Sequence, residues 1–344
     1  MTKKNPTYYF SFLVLLVILL FFWVLNISMG SVSIPFKEIV SGILGNDLSK
    51  SSWQHILFSF RIPKSFTAIL TGSGLSLVGL LMQTLFRNPM AGPSVLGISS
   101  GAGLGVALLV MGGGVIGGFS VDGFNLNLSI LLAAILGAFI VLSIILLLGS
   151  KIKNTLSILI IGLMLGALTT SVVSILAYFT KAEQLQQYMF WGFGSLGHLS
   201  SKELVLFSFF ILIGILAVIP LLKPLNSLLL GENYAQNMGV NIKQLKRNVL
   251  LIAGVLTGVI TAFVGPIAFI GLAIPHIARL LFNTSNHKVL VPAVLLIGAI
   301  VLLICDSIAQ LPFSEQVIPI NAITSLFGAP LVIWLLIRKK NYNF

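Results

Sequence analysis

Nine uninterrupted stretches without a charged side chain make up most of this 344-residue sequence. They run 5–36, 65–86, 88–121, 123–150, 154–180, 204–222, 248–278, 289–305 and 316–337. Most exceed the roughly 20 residues that a helix needs to cross a hydrocarbon core. Backbone in lipid must satisfy its own N–H and C=O groups, so such stretches fold as helices. The stretch 248–278 is too long for one span and too short for two full ones. Gly265-Pro266 near its middle predicts two short or broken helices meeting at a turn. Ten spans result, near 9–28, 64–85, 94–111, 126–149, 155–179, 203–222, 247–264, 268–281, 289–310 and 319–337. The reading is one all-α polytopic membrane domain over residues 1–344, with eight spans if 94–111 or 268–281 is re-entrant. Charged residues are 8% of the chain, against roughly a quarter in a soluble domain, which excludes a soluble enzyme, a coiled coil and a disordered chain. The lone Cys305 excludes a disulfide framework and a Cys-rich metal site.

The net charge of +12 is a topology signal. With the N-terminus inside and the spans alternating, inner segments hold 14 of the 20 basic residues and, of the acidic ones, Glu232 alone. Outer segments hold six basic and six acidic residues, and Asp306 lies within a span. This is the positive-inside pattern, with both termini cytoplasmic, and no nucleic-acid partner is needed to explain the charge. Lys3 and Lys4 before an apolar run resemble a signal peptide, but the run Phe10–Ile27 is 18 residues, longer than the usual signal core of roughly 7–15. An uncleaved first span is expected.

Gly97, Gly101 and Gly105 form a double GxxxG, with single ones at Gly162/Gly166 and Gly254/Gly258. Small residues at this spacing let helices approach closely, either within a subunit or between subunits. Gly92-Pro93 follows span 2 and Gly265-Pro266 follows span 7, which suggests an inverted repeat of spans 2–5 and 7–10. The sequence lacks a GxxxxGK[ST] loop, any Gly-Lys pair and HExxH, so no P-loop or common membrane zinc-protease site is present. An ion-coupled carrier normally places several ionisable groups in its spans, and only Asp306 lies clearly within one here. A polar partner for Asp306, such as Ser307, and a structural or gating role are expected. Energy from an external motor is the simple inference.

The longest polar inner segment, Lys223 to Arg247, reads as two short helices broken near Gly231 and Gly239. It suits a docking ledge for a cytoplasmic partner, or a surface helix lying on the membrane. On the outside, Arg61-Ile-Pro-Lys64 precedes span 2. Its two cations suit an acidic partner, or lipid headgroups reached by snorkelling.

These motifs also occur together in one family. Arg61-Ile-Pro-Lys64, Gln83, Arg87-Asn-Pro-Met-Ala-Gly-Pro93 and Leu96-Gly-Ile-Ser-Ser-Gly-Ala102 resemble the permease subunits of iron–siderophore and vitamin B12 ABC importers. So do Gly231-Glu232 with Ala235 and Gly239, the stretch Phe263 to Arg279 (FVGPIAFIGLAIPHIAR), Asp306, and Gly328-Ala-Pro330. The resemblance covers nearly the whole chain in order. It implies ten helices, a second permease subunit in a homo- or heterodimer, two cytoplasmic ATPases that bind ATP and Mg, and an extracytoplasmic binding protein. This chain would itself hold no cofactor and no metal, and would be no enzyme. By the same resemblance Gly231, Glu232, Ala235 and Gly239 receive ATPase motion, and Arg61 and Lys64 dock the binding protein. Span 5 would line the path with Thr169, Thr170, Ser171, Ser174 and Tyr178, and Asn154-Thr155 would sit near the inner gate. The chain departs from the pattern at Lys64, where the family often carries an arginine, at Gln310, where it carries a third basic residue, and at His198-Leu199, where it tends to carry a Trp. Lysine lacks the forked pairing of arginine. A hydroxyl-lined path suits a bulky chelate better than bare ferric ion, which demands anionic oxygen ligands. A ferric siderophore is the expected cargo in the plasma (inner) membrane. Haem or cobalamin is the alternative, and a lone ion-coupled carrier is the alternative of another class.

Overall fold

The computed structural model describes residues 6–30, 32, 34–112, 126–152, 154–310 and 317–337. Lys3, Lys4, Asp122, Lys153, Glu315, Arg338, Lys339 and Lys340, which the charge argument uses, lie outside these residues. The described chain is helical: α1 (Pro6–Ser28), α2 (Phe36–Ile43), α3 (Ser51–Ile56), α4 (Ile62–Leu85), α5 (Ile98–Val110), α6 (Leu126–Lys151), α7 (Thr155–Phe179) and α8 (Ala182–Gly192). Then follow α9 (Ser201–Val218), α10 (Leu222–Leu229), α11 (Glu232–Asn237), α12 (Ile242–Val264), α13 (Ile270–Phe282), α14 (His287–Ala309) and α15 (Ile320–Ile337). Among the described residues, seven helical segments are long and apolar enough to cross a membrane, and three shorter apolar helices begin at Ile98, Ile270 and Ile320. Each of the ten expected spans has its helix.

The helix at the centre is the least greasy. Every residue of α4 from Thr71 to Leu85 is buried, among them Ser73, Ser76, Gln83 and Thr84. Around it pack α9, α12, α13 and α14. By contrast α1 and α7 are mostly exposed, and apart from a few polar positions their exposed faces are Leu, Val, Ile, Met and Phe. The inversion is physical: lipid is as apolar as leucine, so helices associate through close packing and polar contacts, and the apolar bulk is left for the lipid face. The glycine spacing acts within the subunit. A Cβ at Gly105 would stand 2.0 Å from the Ala133 carbonyl oxygen, and one at Gly79 would stand 1.6 Å from that of Gly271. These contacts hold α5 on α6 and α4 on α13.

The contacts carry the exchange expected of two interlocked repeats. Within 62–179, α5 packs on α6 and α7; within 242–337, α13 packs on α14 and α15. Across the two, α4 packs on α14 while α12 packs on α6, and α4 meets α12 directly. Each half also breaks the same way. Gly92-Pro93 opens a 3-10 turn into α5 through Gly97 at φ 69°, and Gly265-Pro266 opens the entry to α13 through Phe269 at φ 64°.

The loops assigned by charge to one side meet in space. The ends near 87, 154–155, 223–247 and 286–288 touch one another, as do those near 26–32, 61–64, 195–197 and 306–310. The first helix belongs to the bundle: Phe12 stacks on Phe282 at 4.9 Å, and Asn26 reaches α14.

Candidate functional site

At the end formed by 223–247, α10 and α11 make a ledge. Leu225, Leu228 and Ala235 are buried and seat it on the bundle, while Leu230, Tyr234 and Met238 point outward. Gly231 breaks the two helices at φ 119° and ψ 151°, a region open essentially to glycine alone, and Gly239 ends α11 at φ 85°. Of the four expected coupling residues, two are thus backbone hinges and Ala235 is a buried seat. The chemical contact is Glu232. Its carboxylate accepts the Thr155 hydroxyl at 3.0 Å and pairs with Lys246 at 2.9 Å. It lines a cleft with Phe86, Arg87, Asn88, Asn154 and Thr155. The expected coupling residue and the expected gate residues therefore share one pocket, a juxtaposition of positions 77 apart that spacing alone does not show. Asn154 caps α7, its side chain accepting the Leu156 N–H at 3.0 Å.

Two residues here carry no role in the sequence reading. Arg87 sits at φ 48°, unusual for a residue with a Cβ, and its guanidinium donates to the Leu229 carbonyl at the end of α10 at 3.4 Å. Arg279 donates to Gln83 Oε1 at 2.5 Å, and the Gln83 amide donates to the Leu272 carbonyl at 3.1 Å, locking α13 to α4.

At the opposite end, Arg61 is buried at 9% exposure. It donates to the Ile27 carbonyl at 2.9 Å, to the Ser28 carbonyl at 3.2 Å and to the Val32 carbonyl, satisfying the open C-terminus of α1. Lys64 pairs with Asp306 at 3.0 Å. Asp306 also accepts the amides of Asn26 at 2.9 Å and Gln310 at 2.8 Å. The intramembrane carboxylate thus has Lys64 as its partner. Ser307 takes the second contact of the Asn26 amide, at 3.0 Å. The two departures from the family pattern, Lys64 and Gln310, fall on one network. His198 is exposed and Leu199 is buried in the loop between α8 and α9.

On α7, Thr169 is buried at 4% exposure and faces the bundle. Thr170, Ser171 and Ser174 are exposed, and each hydroxyl donates to a carbonyl one turn back. Tyr178 is the most open of the set at 83% exposure. Spaced by four, Thr170, Ser174 and Tyr178 share one stripe, beside the apolar stripe of Ile160, Met164, Leu168 and Ile175. Gly97-Ile-Ser-Ser-Gly101 has the GxSxG spacing of a nucleophile elbow, but Ser99 Oγ pairs with the Thr261 hydroxyl at 3.0 Å rather than with a base.

A bundle of ten apolar helices with interlocked halves, a hydroxyl stripe on an exposed span and a polar ledge at one end defines a membrane transport subunit. The model of the FecCD transport family matches residues 18–338. The vitamin B12 import system permease protein BtuC of Klebsiella pneumoniae is 36% identical over 295 residues, covering 83% of this chain and 84% of that protein. The hemin transport system permease protein HmuU of Yersinia pestis is 33% identical over 339 residues, covering 98% of each. A solved structure, described as an inward-facing conformation of an ABC transporter assigned to the metal-chelate type, superposes with a TM-score of 0.82 at 29% identity, covering 96% of this chain and 99% of that one. The chain belongs to the FecCD transport family. It is a multi-pass permease subunit of an ABC importer, with ATP hydrolysis in a separate subunit, and so neither an enzyme nor a carrier working alone.

Proposed function

We propose that the chain forms the membrane path for a bulky, already chelated metal complex, with both termini in the cytoplasm. Two permease chains flank the path, two ATPases holding ATP and Mg bind the α10–α11 ledge, and a binding protein docks at the Arg61 end. Support comes first from relatives whose names carry vitamin B12 and hemin, both large organic metal complexes. It comes second from the Thr170, Ser174 and Tyr178 stripe, whose neutral hydroxyls can slide past a chelate without competing for its metal. Those names support haem or cobalamin at least as well as the ferric siderophore that the sequence reading favours.

The pocket shared by Glu232, Asn154 and Thr155 carries the mechanism. Closure of the ATPases displaces the ledge, Glu232 pulls on the first turn of α7, and the stripe on α7 turns toward or away from the path. Such a rearrangement is rigid-body gating about a fixed path. At the docking end Arg61 braces α1. Lys64, with a fifth of its side chain open, is the cation of the two that still meets an acidic residue.

The test is uptake in cells deprived of their own chelate permeases and supplied with this chain and its gene neighbours. Labelled hemin, cobalamin and a ferric siderophore are offered in turn, beside bare ferric ion. Uptake of one chelate that stops on ATP depletion is expected. Uptake of bare ferric ion in preference to every chelate would refute the reading.

A further inference from the structure

The ledge holds the bundle by a second line that does not pass through Glu232. Asn226, in the middle of α10, aims its side-chain carbonyl at the start of α14. It accepts the backbone N–H of His287 at 2.8 Å and faces the imidazole Nδ1 of the same residue at 2.7 Å. A side-chain amide oxygen carries no proton, so Nδ1 must be the donor in that contact. The Asn226 amide nitrogen donates to Asn286 Oδ1 at 2.9 Å, and that oxygen caps α14 through the Lys288 N–H at 3.0 Å. On the far side of the ring, Nε2 meets the Thr84 hydroxyl at 2.8 Å, in the last turn of α4. His287 is 1% exposed and Thr84 is wholly buried. The Thr84 oxygen also lies 2.9 Å from the Leu80 carbonyl, so its proton has two acceptors within reach. The result is a closed polar chain from α10, through the N-terminus of α14, to the end of α4.

We propose that Asn226, His287 and Thr84 form a positioning relay through which displacement of α10 moves the inner ends of α4 and α14. The inference rests on the reading of α10–α11 as the ATPase contact. The geometry suits a pull as well as a push. Leu225 and Leu228 transmit compression by packing, but an apolar contact parts under tension, whereas hydrogen bonds along a line resist it. The relay also reaches one helix of each repeat, α4 from the first and α14 from the second. Glu232 reaches α7 and α12 through Thr155 and Lys246, again one from each. Both halves of the bundle are thereby tied to one ledge.

The test uses the complete importer in proteoliposomes, with ATP hydrolysis and chelate import measured on the same sample. The variants are Asn226→Leu, Thr84→Val and Asn226→Asp. Asn226→Leu and Thr84→Val keep the branching and heavy-atom count of the side chain and remove one end of the relay. They are expected to assemble and hydrolyse ATP, with import per ATP reduced about tenfold, the equilibrium weight of roughly one buried hydrogen bond. Asn226→Asp keeps the acceptor for both His287 contacts but loses the donation to Asn286 Oδ1, so its ratio should lie between those of the native chain and Asn226→Leu. Import and hydrolysis falling in proportion, an unchanged ratio in Asn226→Leu and Thr84→Val, or loss of assembly in both would overturn the relay. A Met238→Cys chain that fails to cross-link to the ATPase subunit would instead sink the underlying assignment of the ledge, whatever the ratio shows.

Discussion

Removing the ammonium of Lys64 should cost far more than removing the charge of its partner. The side chain of Lys64 is 21% exposed and that of Asp306 is 3% exposed, with 3.0 Å between the charged atoms. In Lys64→Met the carboxylate stays in the bundle, held only by the neutral amides of Asn26 and Gln310. Stranding one member of a buried pair costs about 3–5 kcal/mol. In Asp306→Asn the amide still accepts from one of those two donors, and the Lys64 stem lets its ammonium swing toward water. The loss there should be about 1–3 kcal/mol. With both changes the uncompensated charge is gone and the double variant should lie close to Asp306→Asn, which leaves a coupling energy of at least about 2 kcal/mol. The assay is equilibrium unfolding in mixed micelles, followed by tryptophan fluorescence, for the native chain and the three variants. Lys64→Met no less stable than Asp306→Asn, with coupling within about 0.5 kcal/mol, would refute the argument and return Lys64 to the status of a solvated surface cation.

Other perturbations follow from the same geometry. Gly79→Ala should abolish the folded permease, since the new methyl would overlap the backbone of Gly271 and no side chain can yield there; normal amounts of monodisperse protein would contradict this. Glu232→Lys faces Lys246 with a like charge and releases Thr155, so the chain should reach the membrane yet associate less with its ATPase and import at least about tenfold less, as read by co-purification and uptake. Cysteines at positions 170 and 174 should react with a bulky polar thiol reagent in an ATP-dependent way, whereas one at position 169 should stay protected in every state. Between α2 and α3, Ser49 donates twice to Glu38, which holds that carboxyl below its ordinary value. The clamp is therefore complete above the ordinary carboxylate range and opens as pH falls through the lowered value, seen as faster exchange of the Ser49 amide.

The ten apolar helical stretches, the break at Gly265-Pro266 and the polar segment 223–247 were legible in the sequence. Each follows from a local quantity: twenty residues without a charge, a proline that cannot continue a helix, a run of polar residues between two apolar ones. The glycine spacing was legible as close packing, though not as packing inside one subunit. The site was legible as a list of residue types and not as roles. Arg61 and Lys64 stand three residues apart as two free-looking cations, yet one caps α1 and the other pairs with a carboxylate 242 positions away. Thr169 and Thr170 are neighbours in sequence, and the turn of α7 buries the first and exposes the second. His287 and Asn226 carried no signal, because a lone histidine beside a loop asparagine is usually no more than part of a surface. What the sequence by itself determined is that this chain crosses a membrane about ten times and must be powered from elsewhere, since burial in lipid forbids charge and enforces helices along the chain. Which cations are engaged, which hydroxyls are exposed and which polar groups tie the ledge to the bundle were decided only by tertiary structure, because a hydrogen bond reaches about 3 Å through space and is indifferent to how far apart its partners lie in the chain.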